Sequence, residues 1–203
     1  MYPLPLSCFA ASGRDWLHFV PVASQHDVSA LSIMNSSDKL KIRIRNVFGE
    51  IPFPEHLGYS AAIAIDSWIS DPEELKRIVS ENDKHCDWWD IPYEEVPYLG
   101  LAMCYFDAHA NQFYLPICLS IAIESPEYKK YCSLLDWMTP IKNEPNALLY
   151  DCFVEKMSAL TDEQKEVCRE CLKYVQENLD PRDCFSSERI DNILSHEYWQ
   201  ATH

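Results

Sequence analysis

The feature that most restricts the fold of this chain is its shortage of glycine. Only four of its 203 residues are glycine, at positions 13, 49, 58 and 100, where average usage would give about 14. Glycine supplies the positive-φ turns of tight hairpins and lets a backbone approach a bound phosphate closely. A hairpin-rich barrel or a phosphate-binding loop is therefore hard to build from this chain, and helices joined by proline and polar turns fit it better.

The first predicted helix follows Met34, in the segment NSSDKLKIRIRNVF. Serine and aspartate at its start are residues that cap helices, and its apolar residues then recur at helical spacing. The candidate caps are Ser36, Ser37 and Asp38, and the apolar face consists of Leu40, Ile44, Val47 and Phe48. The strict alternation in LKIRIR is the competing signal for a strand, and we favour the helix.

Helix signals continue to residue 199. In SDPEELKRIVSE, Ser70 or Asp71 can cap a helix and Pro72 suits its first turn. The segment TDEQ, which begins at Thr161, is a complete capping box. Further helices are predicted over residues 93–105, 107–123 (with Asp107 as the cap), 126–138, 145–159, 162–178 and 187–199. The apolar stretch SAAIAIDSWI does not decide between helix and strand.

These signals predict a mainly α-helical fold. We expect a single-domain multi-helix bundle with a short irregular N-terminal extension and at most a minor β element. The extension is residues 1–33, which are punctuated by proline and serine and contain short extended-looking pieces such as WLHFVPVA. The acidic helical domain is residues 34–203.

The charge of the chain is strongly negative and unevenly placed. The formal net charge is −15, from 32 acids and 17 bases, with +2 on residues 1–48 and −17 on the remainder. A body of this charge repels phosphate backbones, so we expect no direct binding of nucleic acid. It attracts a cationic protein and accelerates the encounter. The alternative is that the charge serves solubility alone.

The cysteine pattern predicts a reducing compartment. The chain has nine cysteines, an odd number, and most stand beside large apolar residues, as buried free cysteine does. The start, MYPLPLSCFAASGRDW, lacks the basic and apolar regions of a secretory signal, and no run approaches the roughly 18 apolar residues of a membrane span. We therefore expect a cytoplasmic protein with no membrane contact.

Two cysteines, Cys168 and Cys171, form a C-x-x-C within a predicted helix. A structural zinc site needs four ligands, and a redox pair of this type stands at a helix start after a strand. No second C-x-x-C or paired histidines accompany this one. We expect no metal and no cofactor here, with one cysteine facing the core and the other its edge.

Residues 86–95, CDWWDIPYEE, mix acids with aromatic side chains. Two adjacent tryptophans in a loop or helix start cannot point the same way, so we expect one in the core and one on the surface. Acids beside aromatics suit a cationic partner, since arginine can pair with carboxylate and stack on a ring. The candidate partner-binding residues are Asp87, Trp88, Asp90, Tyr93, Glu94 and Glu95.

A second candidate site surrounds His109, in the polar start of the predicted helix 107–123. Asp107, Asn111 and Gln112 accompany it, and a histidine near acids can act as a general acid or base. No nucleophile motif, H-E-x-x-H or P-loop supports this reading. Asp107 as a helix cap and His109 as a partly exposed helix residue are the simpler interpretation.

Several ordered features resemble an uncharacterised bacterial family, known only as a domain of unknown function. They are a W-x-x-I-P element at Trp89, the Q-F-Y-L-P-I-C-L helix that begins at Gln112, the L-T-D-E-Q-K start at Leu160 and the Y-W pair that ends at Trp199. The resemblance covers roughly residues 48–199. It implies that Trp89 is the core anchor and Trp88 the adjustable one, and that Pro116 starts a second helical segment. It implies no activity, cofactor or catalytic residue.

Together these features favour a non-enzymatic acidic protein that binds and neutralises a cationic protein. The most specific version is a bacterial immunity protein that inhibits a cognate toxin, because toxins that act on nucleic acids or nucleotides carry basic clefts. The alternatives are a small cytosolic enzyme with its site around His109, and a regulatory or structural subunit of an assembly. Aromatic residues in excess of the core suit a homodimer as well as a heteromeric contact, so the oligomeric state stays open.

Overall fold

The structure is a computed structural model, and it describes residues 35–84, 86–124, 134–140, 147–180 and 182–200. The α-helices are α1 Ser36–Phe48, α2 Tyr59–Asp66, α3 Pro72–Asn82, α4 Leu99–Ala102, α5 Ala108–Glu124, α6 Ala147–Lys156, α7 Asp162–Glu177 and α8 Cys184–Ser195. Residues 134–138 are also helical, and 3₁₀ turns occupy Trp88–Asp90, Tyr93–Glu95 and Glu197–Trp199. No strand occurs in the described ranges, so the mainly α-helical prediction is confirmed.

Residues 1–34 fall outside the described ranges, as do residues 125–133 and 141–146. The division of the chain at residue 33 therefore stays a prediction. The same holds for the part of the predicted helix 126–138 that precedes residue 134. The predicted helices 145–159 and 187–199 are present over somewhat different residues, as α6 and α8.

Helix α5 lies at the centre of the bundle. Helices α1 and α7 pack against it and against each other, and α6 and the 3₁₀ turn Trp88–Asp90 also contact it. All residues of α5 from Phe113 to Leu119 are buried, and a helix that is apolar on all sides belongs in the interior of a protein. None of the helices in the part of the chain described has both the length and the apolarity that crossing a bilayer requires.

The predicted break at Pro116 is wrong, because α5 runs through this residue without interruption. A proline inside a helix costs about 3 kcal/mol, since it removes one hydrogen bond and its ring crowds the preceding turn. The apolar burial of the surrounding turns is large enough to outweigh this cost. The hydroxyl of Ser120 also donates to the carbonyl oxygen of Pro116 at 2.8 Å.

Helix α1 confirms the helical interpretation of LKIRIR. Leu40, Ile44 and Phe48 are its buried residues, so the 3.6-residue period decides the structure over the strict alternation. The cap, however, is Asn35 rather than one of the three predicted residues. The side-chain oxygen of Asn35 accepts from the backbone N–H of Asp38 at 2.8 Å.

Residues 93–105 do not form the predicted buried helix. They hold one 3₁₀ turn, Tyr93–Glu95, and the four-residue helix α4. Proline at position 97 explains the difference, because it lacks an N–H and biases the residue before it away from helical geometry. Only Val96, Leu99, Ala102 and Met103 of this segment are buried.

The helix starts that sequence marked most clearly are confirmed. Asp71 accepts from the N–H of Glu74 at 2.9 Å and caps α3. At α7, the Thr161 hydroxyl accepts from the N–H of Gln164 at 3.2 Å, and the Gln164 side chain accepts from the N–H of Thr161 at 3.1 Å. These reciprocal bonds form the predicted capping box.

Candidate functional site

The two adjacent tryptophans take opposite positions to those implied by the family resemblance. Trp88 is the core anchor: its side chain is 4% exposed, and its indole N–H donates to the carbonyl oxygen of Gly49 at 2.9 Å. The 3₁₀ turn that begins at Trp88 packs on α5, and this direction of approach turns the first tryptophan inward. Trp88 is therefore not a surface residue available to a partner.

Trp89 is half-buried at the edge of the core. Its ring meets that of Trp88 edge to face, with 5.5 Å between ring centroids. The guanidinium of Arg45, on α1, lies 4.5 Å from the centroid of the Trp89 ring. An arginine does stack on this stretch, as its composition suggested, but the arginine belongs to the same chain.

The other predicted contact residues are all exposed, and they line three different depressions. Asp87 and Asp90 line one groove, and Tyr93 and Glu94 line a second groove of about 410 Å³ that also contains Lys41. Glu95 faces a third depression and pairs with Lys84. The expected exposure of these acids is confirmed, and their role as partner-binding residues stays a prediction.

The groove that contains Asp87 and Asp90 has a volume of about 670 Å³ and is open to solvent. We call it the acidic groove, and its lining residues are Glu50, Ile51, Pro52, Phe53, Glu55, Cys86, Asp87 and Asp90. Four of the eight are carboxylates, and all four are exposed. Among the residues that the structure describes, none of the four has a cation as ion-pair partner.

The electrostatic effect of the acidic groove is visible at Cys86. Burial raises the pKa of this thiol, and the carboxylate of Asp90 is the next largest cause in the same direction. A raised pKa keeps the thiol protonated at neutral pH and unreactive as a nucleophile. Cys86 therefore contributes surface and shape to the groove rather than chemistry.

The polar residues around His109 are engaged mainly in holding helices together. Asn111 is fully buried, and its side-chain amide donates to the carbonyl oxygen of Lys156 at 3.0 Å. Gln112 donates to the carbonyl oxygen of Ala159 at 2.8 Å and to the side chain of Gln164 at 3.0 Å. These contacts join α5 to the residues at the end of α6 and the start of α7.

Asp107 does cap α5, as predicted, since its carboxylate accepts from the N–H of Ala110 at 2.8 Å. Its other oxygen lies 2.7 Å from Nε2 of His56, and the His56 ring stacks at 6.3 Å on that of His109. Burial acts to raise the pKa of Asp107, but the bonds from Ala110 and His56 outweigh it and the pKa is lowered. The carboxylate is thus a stable anion rather than a proton donor.

Cys168 and Cys171 are both fully buried, which corrects the expectation that one of them lies at the edge of the core. Burial is the main cause of the raised pKa of both thiols. Within the described ranges, no group of three or more His, Cys, Asp or Glu side chains could hold a metal ion. This pair therefore fills core space as small apolar side chains do.

An apolar cavity of about 490 Å³ lies between α4 and α6, with Trp137, Phe153 and Lys156 in its lining. Burial lowers the pKa of Lys156. Its ammonium lies 4.7 Å from the Trp137 ring centroid and donates to the carbonyl oxygen of Cys104. The cation is held by this chain's own groups.

Sequence reasoning missed the residues that complete the acidic groove. Glu50 and Glu55 flank the segment IPFP, about 35 residues before Asp87, and a proline-rich turn with an acid at each end was the available signal. It also missed Trp68, which is 94% exposed at the end of α2. A tryptophan in the polar link DSWISDP, directly before the cap of the next helix, could have indicated it.

No curated protein and no solved structure matches the chain. The sequence model of a family of unknown function, DUF6714, matches residues 36–203. The match includes every helix described above and both segments that line the acidic groove. The chain belongs to this family of unknown function, DUF6714.

Proposed function

We propose that this protein is a non-enzymatic binding protein that neutralises a cationic protein partner, and that the acidic groove is part of the contact surface. The observation that carries the proposal is the set of four exposed carboxylates, Glu50, Glu55, Asp87 and Asp90, around one groove. In the part of the chain described, no lysine or arginine pairs with them. Elsewhere on the surface, acids are commonly paired, as Glu74 and Glu81 are with Arg77.

Four carboxylates around one concave surface repel one another, and a bound cation relieves that repulsion. The groove also offers the ring of Phe53 and the apolar edges of Ile51 and Pro52. An arginine-bearing segment suits such a surface, because its guanidinium pairs with carboxylate while its aliphatic stem and planar head pack on apolar groups. The net charge of −15 adds long-range attraction to the same partner.

The specific form of the proposal is a bacterial immunity protein that blocks the active site of a cognate toxin. Its support is the general character of the chain, which is small, acidic and without a recognised catalytic motif. Toxins that cut nucleic acids or nucleotides have basic clefts, which suit an acidic inhibitor. This reading predicts that the partner is a basic enzyme and that its activity falls to background in the complex.

The experiment begins with a tagged full-length chain expressed in its native host and the identification of the protein that co-purifies with it. Association and dissociation rates with that purified protein are then measured over a range of salt concentrations. The test variant combines Glu50→Gln, Glu55→Gln, Asp87→Asn and Asp90→Asn. The control variant combines Asp151→Asn, Glu155→Gln, Glu163→Gln and Glu188→Gln, which are exposed acids on α6, α7 and α8.

We expect the test variant to associate more slowly than the control variant, because both lose the same charge but only one loses it from the groove. Dissociation should change less, and association should slow as salt screens the charges. Equal association rates for the two variants would show that net charge alone attracts the partner. An unchanged rate for both, at every salt concentration, would contradict the proposal.

A further inference from the structure

The end of helix α2 has an unusual residue at its turn. Trp68 has φ = 68°, in the left-handed region. Its N–H donates to the carbonyl oxygen of Ile65 at 2.9 Å, and the N–H of Ile69 donates to that of Ala64 at 3.1 Å. This pair of bonds is the Schellman ending of a helix, in which the left-handed position is normally glycine.

A tryptophan at this position is unfavourable for the backbone. In the left-handed region the Cβ atom comes too close to the following carbonyl oxygen, so glycine, and less often asparagine, occupies it. A bulky residue there is an outlier that needs a cause other than local preference. Packing in the core is not that cause, because Trp68 is 94% exposed.

The other tryptophans in the described ranges all have partners. Trp88 and Trp199 are buried and donate to backbone carbonyl oxygens. Trp89 lies under Arg45 and Trp137 lies beside Lys156. Among these five, only the side chain of Trp68 makes no hydrogen bond, ring contact or cation contact with another described residue. Its large apolar surface is therefore available to another molecule.

The sequence around Trp68 is acidic. Between Arg45 and Lys76 the sequence has no lysine or arginine. Asp66, two residues before Trp68, is exposed and accepts from the hydroxyl of Tyr105 at 2.7 Å. Glu73, in the first turn of the next helix, is exposed and has no ion pair with a described residue. Exposed carboxylates close in sequence to an exposed indole suit a guanidinium better than they suit another acidic surface.

We propose that Trp68 is a docking anchor that stacks on an arginine side chain of a cationic partner protein, with Asp66 as the neighbouring carboxylate. The inference rests on the proposed function for the charge of the partner, but it concerns a different surface from the acidic groove. The chain contains one example of such stacking, because the guanidinium of Arg45 lies 4.5 Å from the Trp89 ring centroid. A second copy of this chain is a poor occupant, because its net charge is also −15.

The test uses polyarginine and polylysine peptides of equal length as probes, with binding measured by calorimetry. Both peptides meet the same charges, but guanidinium stacks on an indole more readily than ammonium does. We expect the full-length protein to bind polyarginine about twofold to fivefold more tightly than polylysine. Trp68→Gly should remove this preference by weakening polyarginine binding alone. The matched control is Tyr98→Ala, an aromatic residue that is 65% exposed, and it should keep the preference.

Thermal unfolding gives a readout that needs no ligand. Trp68→Gly should leave the melting temperature unchanged or raise it, because glycine suits the left-handed position. A lower melting temperature would show that Trp68 serves the fold, and the proposal would be overturned. It would also be overturned if the preference for polyarginine is absent, or if it survives in Trp68→Gly. A wild-type dimer that becomes a monomer in Trp68→Gly, observed by sedimentation, would identify self-association instead.

The four-amide variant of the acidic groove separates this inference from the proposed function. If the groove binds cations, this variant should bind both peptides more weakly, to a similar degree, and should keep the preference for polyarginine. If it binds both peptides as the wild type does, the groove proposal fails while the role of Trp68 stands. If Trp68→Gly leaves the binding of both peptides unchanged but the four-amide variant weakens it, the role of Trp68 fails while the groove proposal stands.

Discussion

The tryptophans of this protein differ widely in burial and contacts, even where two of them are adjacent in sequence. Trp88 is buried with its indole N–H bonded to Gly49, whereas Trp89 is half-buried under Arg45. Trp68 is almost fully exposed on a strained backbone. The energetic consequence of removing each ring therefore differs, and mutation can separate them.

Trp88→Ala should lower the free energy of unfolding by about 3–5 kcal/mol, because it leaves a large cavity and an unpaired carbonyl oxygen at Gly49. Trp89→Ala should cost clearly less, since part of its ring faces solvent and its contact with Arg45 is worth roughly 0.5–1 kcal/mol. Urea unfolding of the two variants measures the difference. A larger loss for Trp89→Ala would mean that the two rings are assigned the wrong way round.

At the scale of elements, the helix ends are tied to each other across the fold. Gly58, which precedes α2, has no side chain with which to cap it. Asp83, at the end of α3, takes this role: its carboxylate accepts from the N–H of Ser60 at 3.1 Å and from the Ser60 hydroxyl at 2.5 Å. A Cβ at position 58 would lie 2.0 Å from an oxygen of this carboxylate, so glycine is required there by the close approach.

Asp83→Ala should lower the free energy of unfolding by about 1–3 kcal/mol, because a charged cap and its hydrogen bonds to α2 are lost together. Glu81→Ala is the matched control, as it removes a nearby carboxylate that pairs with Arg77 only at the surface. Such exposed pairs are worth less than about 1 kcal/mol. Chemical denaturation measures both variants, and equal losses would show that Asp83 is an ordinary surface acid.

The cap of α5 predicts a pH dependence. Because the pKa of Asp107 is lowered in the folded state, its ionised form stabilises the fold above the unfolded-state value of about 3.9. This contribution is lost as the pH falls from there through the lowered pKa. Asp107→Ala should therefore cost about 1 kcal/mol near neutral pH and progressively less below about pH 4.

Urea unfolding of the wild type and Asp107→Ala at several pH values tests this expectation. Asp107→Asn is the control, because asparagine keeps the ability to cap the helix but not the charge beside His56. It should cost less than the alanine variant at neutral pH. A cost of Asp107→Ala that grows on acidification would contradict the lowered pKa.

For the molecule as a whole, the excess of negative charge opposes compactness while it favours a cationic partner. The chain carries −15, and the four carboxylates of the acidic groove lie around one concave surface without ion-pair partners among the described residues. Mutual repulsion of such charges destabilises the folded state and is screened by salt. Under the proposed function, the groove exchanges some stability for binding.

The free energy of unfolding should therefore rise as sodium chloride is added. The four-amide variant of the groove should be more stable than the wild type at low salt, by less than about 0.5 kcal/mol for each substitution. This difference should shrink as salt increases. Denaturant unfolding at several salt concentrations measures it, and a less stable variant at low salt would show that these carboxylates have stabilising partners.

Deletion of residues 1–33 should leave a cooperative thermal transition. The residues from Ser36 onward bury a continuous core, which includes Ile44, Phe113 and Trp199, and the family match also begins at residue 36. Differential scanning calorimetry of the full-length and shortened chains compares the two transitions. Loss of soluble folded protein on deletion would show that the N-terminal segment completes the core.

Much of the fold could be predicted from sequence because its signals are local. Helix caps act over three residues and helical periodicity over about four, so α1, α3, α5 and α7 were predictable from short segments. The exposure of Asp87, Asp90 and Glu94 was predictable for a similar reason, since an isolated charge is rarely buried. Proline at position 97 was also visible in the sequence, and its effect on residues 93–105 was underestimated.

The candidate site depended on the tertiary structure. Which of Trp88 and Trp89 faces inward is set by the direction from which a 3₁₀ turn approaches α5, and no local pattern carries that direction. The acidic groove joins residues 50–55 to residues 86–90, a contact between segments far apart in the chain. Sequence by itself determined the helices and the charge, because those depend on neighbouring residues. Only the packing of the helices decided which acids face one another and which tryptophan remains exposed, because burial and Coulomb repulsion depend on distance in space.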